Sequence, residues 1–217
     1  NTGLGYNAGV STTLGSRNVA VGSNALNSNM IGNNNTAIGY NSMMASAGSE
    51  NTALGSAALS TLAGGNRNVA IGSDALLTFD ADDNTAIGYH STRSMISGAN
   101  NVSIGNYSLF SNLFGAECVA IGAESLYTSL GARNTAVGYQ SLSNATTGVD
   151  NVAVGHQTGY AILTGNRNVL IGRGVNTAGG NADNISDVVI IGSGANASYN
   201  STVSIGYNTA ASGMNSL

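Results

Sequence analysis

The sequence predicts an all-β fold, a parallel β-solenoid (a β-roll) running through residues 1–217 as a single domain, on three observations. First, a pentapeptide of the form Asn-(Thr/Val)-Ala-(Ile/Val/Leu)-Gly closes at Gly5, Gly22, Gly39, Gly55, Gly72, Gly88, Gly105, Gly122, Gly138, Gly155 and Gly172, always 16 or 17 residues apart. Two less regular copies end at Gly192 and Gly206, after steps of 20 and 14. About thirteen rungs therefore fill the chain, regular over 1–172 and irregular over 173–217. Second, glycine and β-branched residues recur every few positions with no 3.6-residue period, which disfavours helix. Third, the chain has 31 Gly, no Pro and only 7% charged residues, a composition too uncharged and too β-branched for disorder.

Each rung reads in order. In Asn68–Gly72, Val69 and Ile71 share one face of a strand, while Ala70 shares the other with Asn68 and Gly72. Ser73–Leu76 follows as a second short segment able to pack back onto the first. Two such short strands are expected to cover the β-branched face and leave the Ala/Gly face bare. A variable stretch comes next, then a glycine three residues before the next motif: Gly15, Gly32, Gly48, Gly65, Gly98, Gly115, Gly131, Gly148 and Gly165. A turn needing φ > 0 at a fixed offset accounts for these glycines.

Stacking aligns like with like. The motif asparagines Asn18, Asn35, Asn51, Asn68, Asn84, Asn101, Asn134, Asn151 and Asn168 would form an amide ladder along the axis, with Cys118 replacing one member. The residue before each carries charge at Arg17, Glu50, Arg67, Asp83, Glu117, Arg133, Asp150 and Arg167. Wherever two of these fall one rung apart their signs are opposite, as cross-strand neighbours require. A longer repeat, "GSRNVAVGSNAL" from Gly15 and "GNRNVAIGSDAL" from Gly65, recurs at 50 residues. Stacking on that period would set Arg17 against Arg67, so the shorter rung is favoured. A single chain whose full turn is about 50 residues, with three sides, is the open alternative. A bare small-residue face calls for a partner, and the economical partner is another copy of the chain. Thirteen rungs at roughly 4.8 Å would give a rod about 60 Å long.

"SIGYNTAASG" (Ser204–Gly213) resembles the repeat of trimeric autotransporter adhesin heads, the YadA-like head. The longer form, "NTAIGYNSM" and "GSENTALGSAAL", is similar to repeats of phage and large-virus tail-fibre proteins. The resemblance extends over nearly the whole chain, although most rungs here are two or three residues longer than the adhesin repeat. It implies a left-handed, homotrimeric β-roll that extends or presents an adhesive surface. It carries no membrane-anchor barrel or coiled-coil stalk with it. The chain begins mid-motif, so a fragment of a longer fibre is expected.

Candidate chemistry is sparse. Net charge is −4, with six Arg and no Lys, which argues against a nucleic-acid partner. No apolar run approaches the roughly 18 residues that would insert in a membrane. His90 and His156 are the only histidines; His90 shares a polar column with Asn24, Asn41, Asp74, Glu124 and Gln140, read as a solvated edge. Cys118 has no basic neighbour to activate it and reads as packing. Asp80, Asp82 and Asn84 have the 1,3,5 spacing of calcium-loop ligands, but the rest of such a loop is missing, and a solvated acidic turn is the plainer reading. The tyrosines Tyr6, Tyr40, Tyr89, Tyr139 and Tyr207 share a column that could stack on a glycan or simply cover neighbouring strands. Asn-x-Ser/Thr sequons begin at Asn34, Asn101, Asn106, Asn144, Asn184, Asn196 and Asn200, as expected by chance in so Asn-rich a chain.

The expectation is therefore a non-enzymatic fibre segment without cofactors, extracellular, on a virion or a bacterial surface. It would self-associate as a homotrimer and attach to a host receptor or substrate. Recognition would fall to turns such as Met43–Gly48 and Ser94–Gly98. The alternatives are a mechanical spacer with its binding tip elsewhere, or a monomeric ice-binding-like solenoid. The threonine array the last would want, at Thr36, Thr52, Thr85 and Thr135, is broken by valine in the same column.

Overall fold

The computed structural model describes residues 1–11, 14–29, 31–62, 64–177 and 184–213. Among these the regular elements are all strands, and there is no α-helix. Thirteen three-residue strands, from Thr2–Leu4 to Val203–Ile205, form one parallel sheet in chain order. Register follows the motif: Thr2 pairs with Val19, Val19 with Thr36, Thr36 with Thr52 and Thr52 with Val69. The chain is thus a parallel β-solenoid of twelve coils between thirteen strands, and the 50-residue turn does not occur. The late steps of 20 and 14 keep that register, Val169 pairing with Val189 and Val189 with Val203. Two three-stranded sheets of dipeptides flank it, one from Ala45–Ser46 to Thr78–Phe79 and one from Asn176–Thr177 to Ala210–Ala211.

The sidedness is the reverse of the expected one. Ala20, Ala37, Ala53, Ala70 and Ala86 are buried, together with the motif asparagines, while the Thr/Val and Ile/Leu positions of the same strands point outward, exposed or half-buried. The reason is volume. Behind each strand lies the Ser-x-Ala-Leu segment, whose Ala75 and Leu76 are fully buried. The space between strand and turn takes about one large side chain per coil: Leu76 beside Ala70, or Leu170 and Ile190 in the alanine column where the turn has Asn176 and Asn196 in place of the leucine.

That second segment is a run of turns rather than a strand. Asp74 has φ 55° and Leu76 has φ 48°, and their counterparts repeat this rung after rung. Its amides bond outward in both directions: Asn24 N–H donates to Tyr6 O on the preceding rung at 2.8 Å, and Leu26 N–H to Ser42 O on the following one at 3.0 Å.

The positive φ expected at the glycine before each motif lies elsewhere. Gly98 alone of those nine has it; the left-handed residue is instead the one two places later, from Arg17 (φ 59°) to Arg167 (φ 55°). At Gly48 the need is close approach, because a Cβ there would overlap the carbonyl oxygen of Gly65 on the next rung. The motif-closing glycines need both: Gly72 has φ 130° and lies against Gly88.

The buried asparagines form a clip more than an amide ladder. Asn51 Oδ1 accepts the Asn68 backbone N–H at 2.8 Å, and Asn51 Nδ2 donates to Gly65 O at 2.9 Å. The same pair of bonds recurs from Asn18 to Asn35 and Gly32, and from Asn151 to Asn168 and Gly165. Each side chain thereby satisfies one donor and one acceptor of the rung after it, groups that burial would otherwise leave costly. Direct amide-to-amide contacts accompany the clip at some rungs only, as from Asn101 Nδ2 to Asn84 Oδ1 at 3.0 Å. Cys118 has no carboxamide; its thiol donates to Gly131 O at 3.3 Å, and burial pushes its pKa up.

Candidate functional site

Two surfaces stand out from this repeating background. The first is the outer face of the main sheet. From Leu4 through Ile38, Leu54, Ile104, Ile121 and Ile171 to Ile205, the third strand position is aliphatic on every rung, with the Thr/Val column beside it. Parallel sheets are ordinarily covered on both faces. Here the coil's own turns cover the inner face only, so an apolar stripe runs the length of the rod. The tyrosine column borders it: Tyr6, Tyr40, Tyr89, Tyr139 and Tyr207 are all exposed, interrupted by non-aromatic rungs.

The second surface is the corner formed by the Ser-x-Ala-Leu turn. There the second residue of that turn and the residue after its leucine stack from rung to rung. The polar column read as a solvated edge is in fact hydrogen-bonded along the axis. Asn24 Nδ2 donates to Asn41 Oδ1 at 3.0 Å, Gln140 Nε2 to Glu124 Oε2 at 2.7 Å, and Gln157 Nε2 to Gln140 Oε1 at 2.8 Å. His90 Nε2 lies 3.1 Å from Asp74 Oδ2, its ring stacked on Tyr89 at 3.7 Å between centroids. Between the His90 and Gln140 rungs this corner turns aromatic. Tyr107, Phe110 and Tyr127 meet there, Phe110 and Tyr127 stacked at 5.1 Å and 10°. Aligning the chain on its strands hides this group. The signal available is that Phe110 and Tyr127 sit 17 residues apart at one rung position, in "YSLF" and "ESLY".

The charge column is selective. Arg67 makes a bidentate pair with Asp83 (2.6 and 2.8 Å), Arg133 with Asp150 (2.6 and 3.2 Å) and Arg167 with Asp187 (2.6 and 2.9 Å). Every fork engages the rung that follows it. Consequently Glu50–Arg67, Glu117–Arg133 and Asp150–Arg167, also expected to pair, form no ion pair within 4.0 Å among the described residues. Hydrogen bonds from the guanidinium groups hold the Asp83, Asp150 and Asp187 carboxyls below the usual carboxylate range.

Asp80, Asp82 and Asn84 are not brought together as a ligand set. Asp80 is exposed and Asn84 is buried in the clip. Asp82 Oδ1 accepts the Asn66 backbone N–H at 2.7 Å, and Asp82 Oδ2 lies 3.4 Å from Arg67. No group of three or more His, Cys, Asp or Glu side chains placed to hold a metal occurs among the described residues. Of the turns expected to carry recognition, Met43–Gly48 and Ser94–Gly98 are among the described residues, the first holding the strand Ala45–Ser46 paired with Thr61–Leu62. Thr12, Thr13, Met30, Ala63 and residues 178–183, in other such stretches, lie outside them. Compared with known proteins, the chain matches no protein-family model and no curated protein.

Proposed function

We propose that this chain is a non-enzymatic fibre segment, a homotrimer of left-handed solenoids on a virion or bacterial surface that serves attachment to a host cell or substrate. The observation that carries the reading is the aliphatic stripe on the outer face of the thirteen-stranded sheet. A stripe of one chemistry, one rung period and full rod length fits other copies of itself in parallel register. Cyclic symmetry then covers it with no edge left over. The clip and the stacked glycines suit the mechanical part of the role, since they repeat a rigid unit of fixed rise. The resemblance to adhesin-head and tail-fibre repeats supports an extracellular, adhesive setting.

Light scattering on the purified chain tests the assembly: a mass three times 21.5 kDa is expected, and a monomer overturns it. Adsorption of the labelled trimer to intact host cells tests attachment. No adsorption by a stable trimer would leave the mechanical spacer as the reading, which the uniformity of the rungs favours.

A further inference from the structure

We propose that the hollow between Tyr107, Glu124 and Tyr127 binds a small organic ammonium ion of the quaternary, choline-like type. These three residues line an open cavity of about 320 Å³ on the turn corner.

The walls are two aromatic rings. The centroids of Tyr107 and Tyr127 lie 6.4 Å apart with their planes at 51°, so the rings splay into a V. A cation seated in that V lies within about 6 Å of both ring centres, the range over which the negative face of an aromatic ring attracts positive charge. The rings are held in place before any ligand arrives. Tyr89 and His90 meet Tyr107 edge-on, at 5.5 and 5.2 Å, and Phe110 stacks on Tyr127. Holding the walls fixed removes an ordering cost that binding would otherwise carry.

The third wall supplies charge. Glu124 makes no ion pair among the described residues; Gln140, a neutral amide, donates to Glu124 Oε2 at 2.7 Å and orients the carboxylate. Arg93, two rungs back on the same corner, lies 3.6 Å from Asp74. The hollow therefore carries a negative charge with no internal cation beside it. A metal ion would want several oxygen ligands, and one carboxylate offers too few. A weakly hydrated ammonium ion loses little on leaving water and gains the ring faces. A sugar would stack on a flat ring platform, which the 51° splay does not present. The proposal rests on the rings and the carboxylate, not on the trimer or the attachment role.

Saturation-transfer NMR and calorimetry on the whole chain test it, with choline as probe, its neutral twin 3,3-dimethylbutan-1-ol and galactose as comparators. Choline is expected to bind with Kd in the millimolar range, roughly 1–10 mM. The neutral twin should bind about tenfold more weakly, Glu124→Gln should weaken choline about fivefold, and Tyr127→Leu should abolish binding. Tyr160→Leu, two rungs along the same corner, should leave it unchanged. Glu124→Gln keeps the side chain's shape and answers the question even if Tyr127→Leu fails to fold. Equal binding of the neutral twin, galactose bound in place of choline, no choline bound at ~50 mM, or parental affinity in Glu124→Gln would each overturn the proposal.

Discussion

Replacing Asn51 by alanine isolates the contribution of the clip. Asn51 is fully buried, and its side chain makes one bond to the Asn68 N–H (2.8 Å) and one to Gly65 O (2.9 Å). Alanine removes both while the two backbone groups stay inside the coil. A net hydrogen bond contributes about 1 kcal/mol, but leaving a buried partner unsatisfied costs about 1–3 kcal/mol. Two orphaned groups therefore predict a loss of about 2–5 kcal/mol, or a fall in Tm of roughly 5–15 °C for a chain of this length. Circular dichroism in the far ultraviolet, followed through thermal and guanidinium unfolding at matched protein concentration, reads the change. An isolated break inside a one-dimensional stack should also broaden the transition, since rungs on either side lose their coupling. A loss below about 0.5 kcal/mol, the size of an ordinary surface substitution, would refute the claim that the clip holds rung to rung.

Three further outcomes follow from the same geometry. Cys118→Asn restores a carboxamide at the one regular rung that lacks it, and should raise stability by about 1 kcal/mol, read as a higher guanidinium midpoint. Ile121→Asp tests the stripe. Ile121 is 37% exposed, so covering the remainder contributes about 0.5–1 kcal/mol per chain, and a buried carboxylate adds a far larger penalty. Light scattering should find monomer, whereas an unchanged trimer would remove the stripe from the interface. Acid should weaken the rod. The carboxyls of Asp83, Asp150 and Asp187 titrate lower folded than unfolded, so their contribution is present above about pH 4 and fades as pH falls through their folded values. These pairs are exposed, so the effect should be small and should shrink further in added salt, and Arg167→Gln should reduce it.

Much of this is legible in the sequence because a solenoid turns spacing into contact. The interval from Gly55 to Gly72 is the register of Thr52 with Val69, and opposite signs at Arg67 and Asp83 become a bidentate pair. Turn geometry is less legible. Arg17 and Leu76 adopt left-handed φ although nothing in their residue types asks for it, whereas Asp74, in a column with Asn24 and Asn41, is of a type that tolerates it; the hydrogen bonds of neighbouring rungs hold all three. The aromatic corner is hidden because Tyr107 and Tyr127 meet on adjacent rungs from different positions within the turn.

The sequence by itself determined the period, the parallel stacking and the columns, because alternation along a strand assigns residues to faces and repetition aligns them. Which face lies inside was a tertiary decision. One face of "NVAIG" carries Val69 and Ile71 and the other Asn68, Ala70 and Gly72, so hydrophobicity alone favours the face that the fold leaves outside. The coil chose by volume: the gap between the strand and the turn behind it accepts Ala70 and Asn68, and Val69 and Ile71 must face outward.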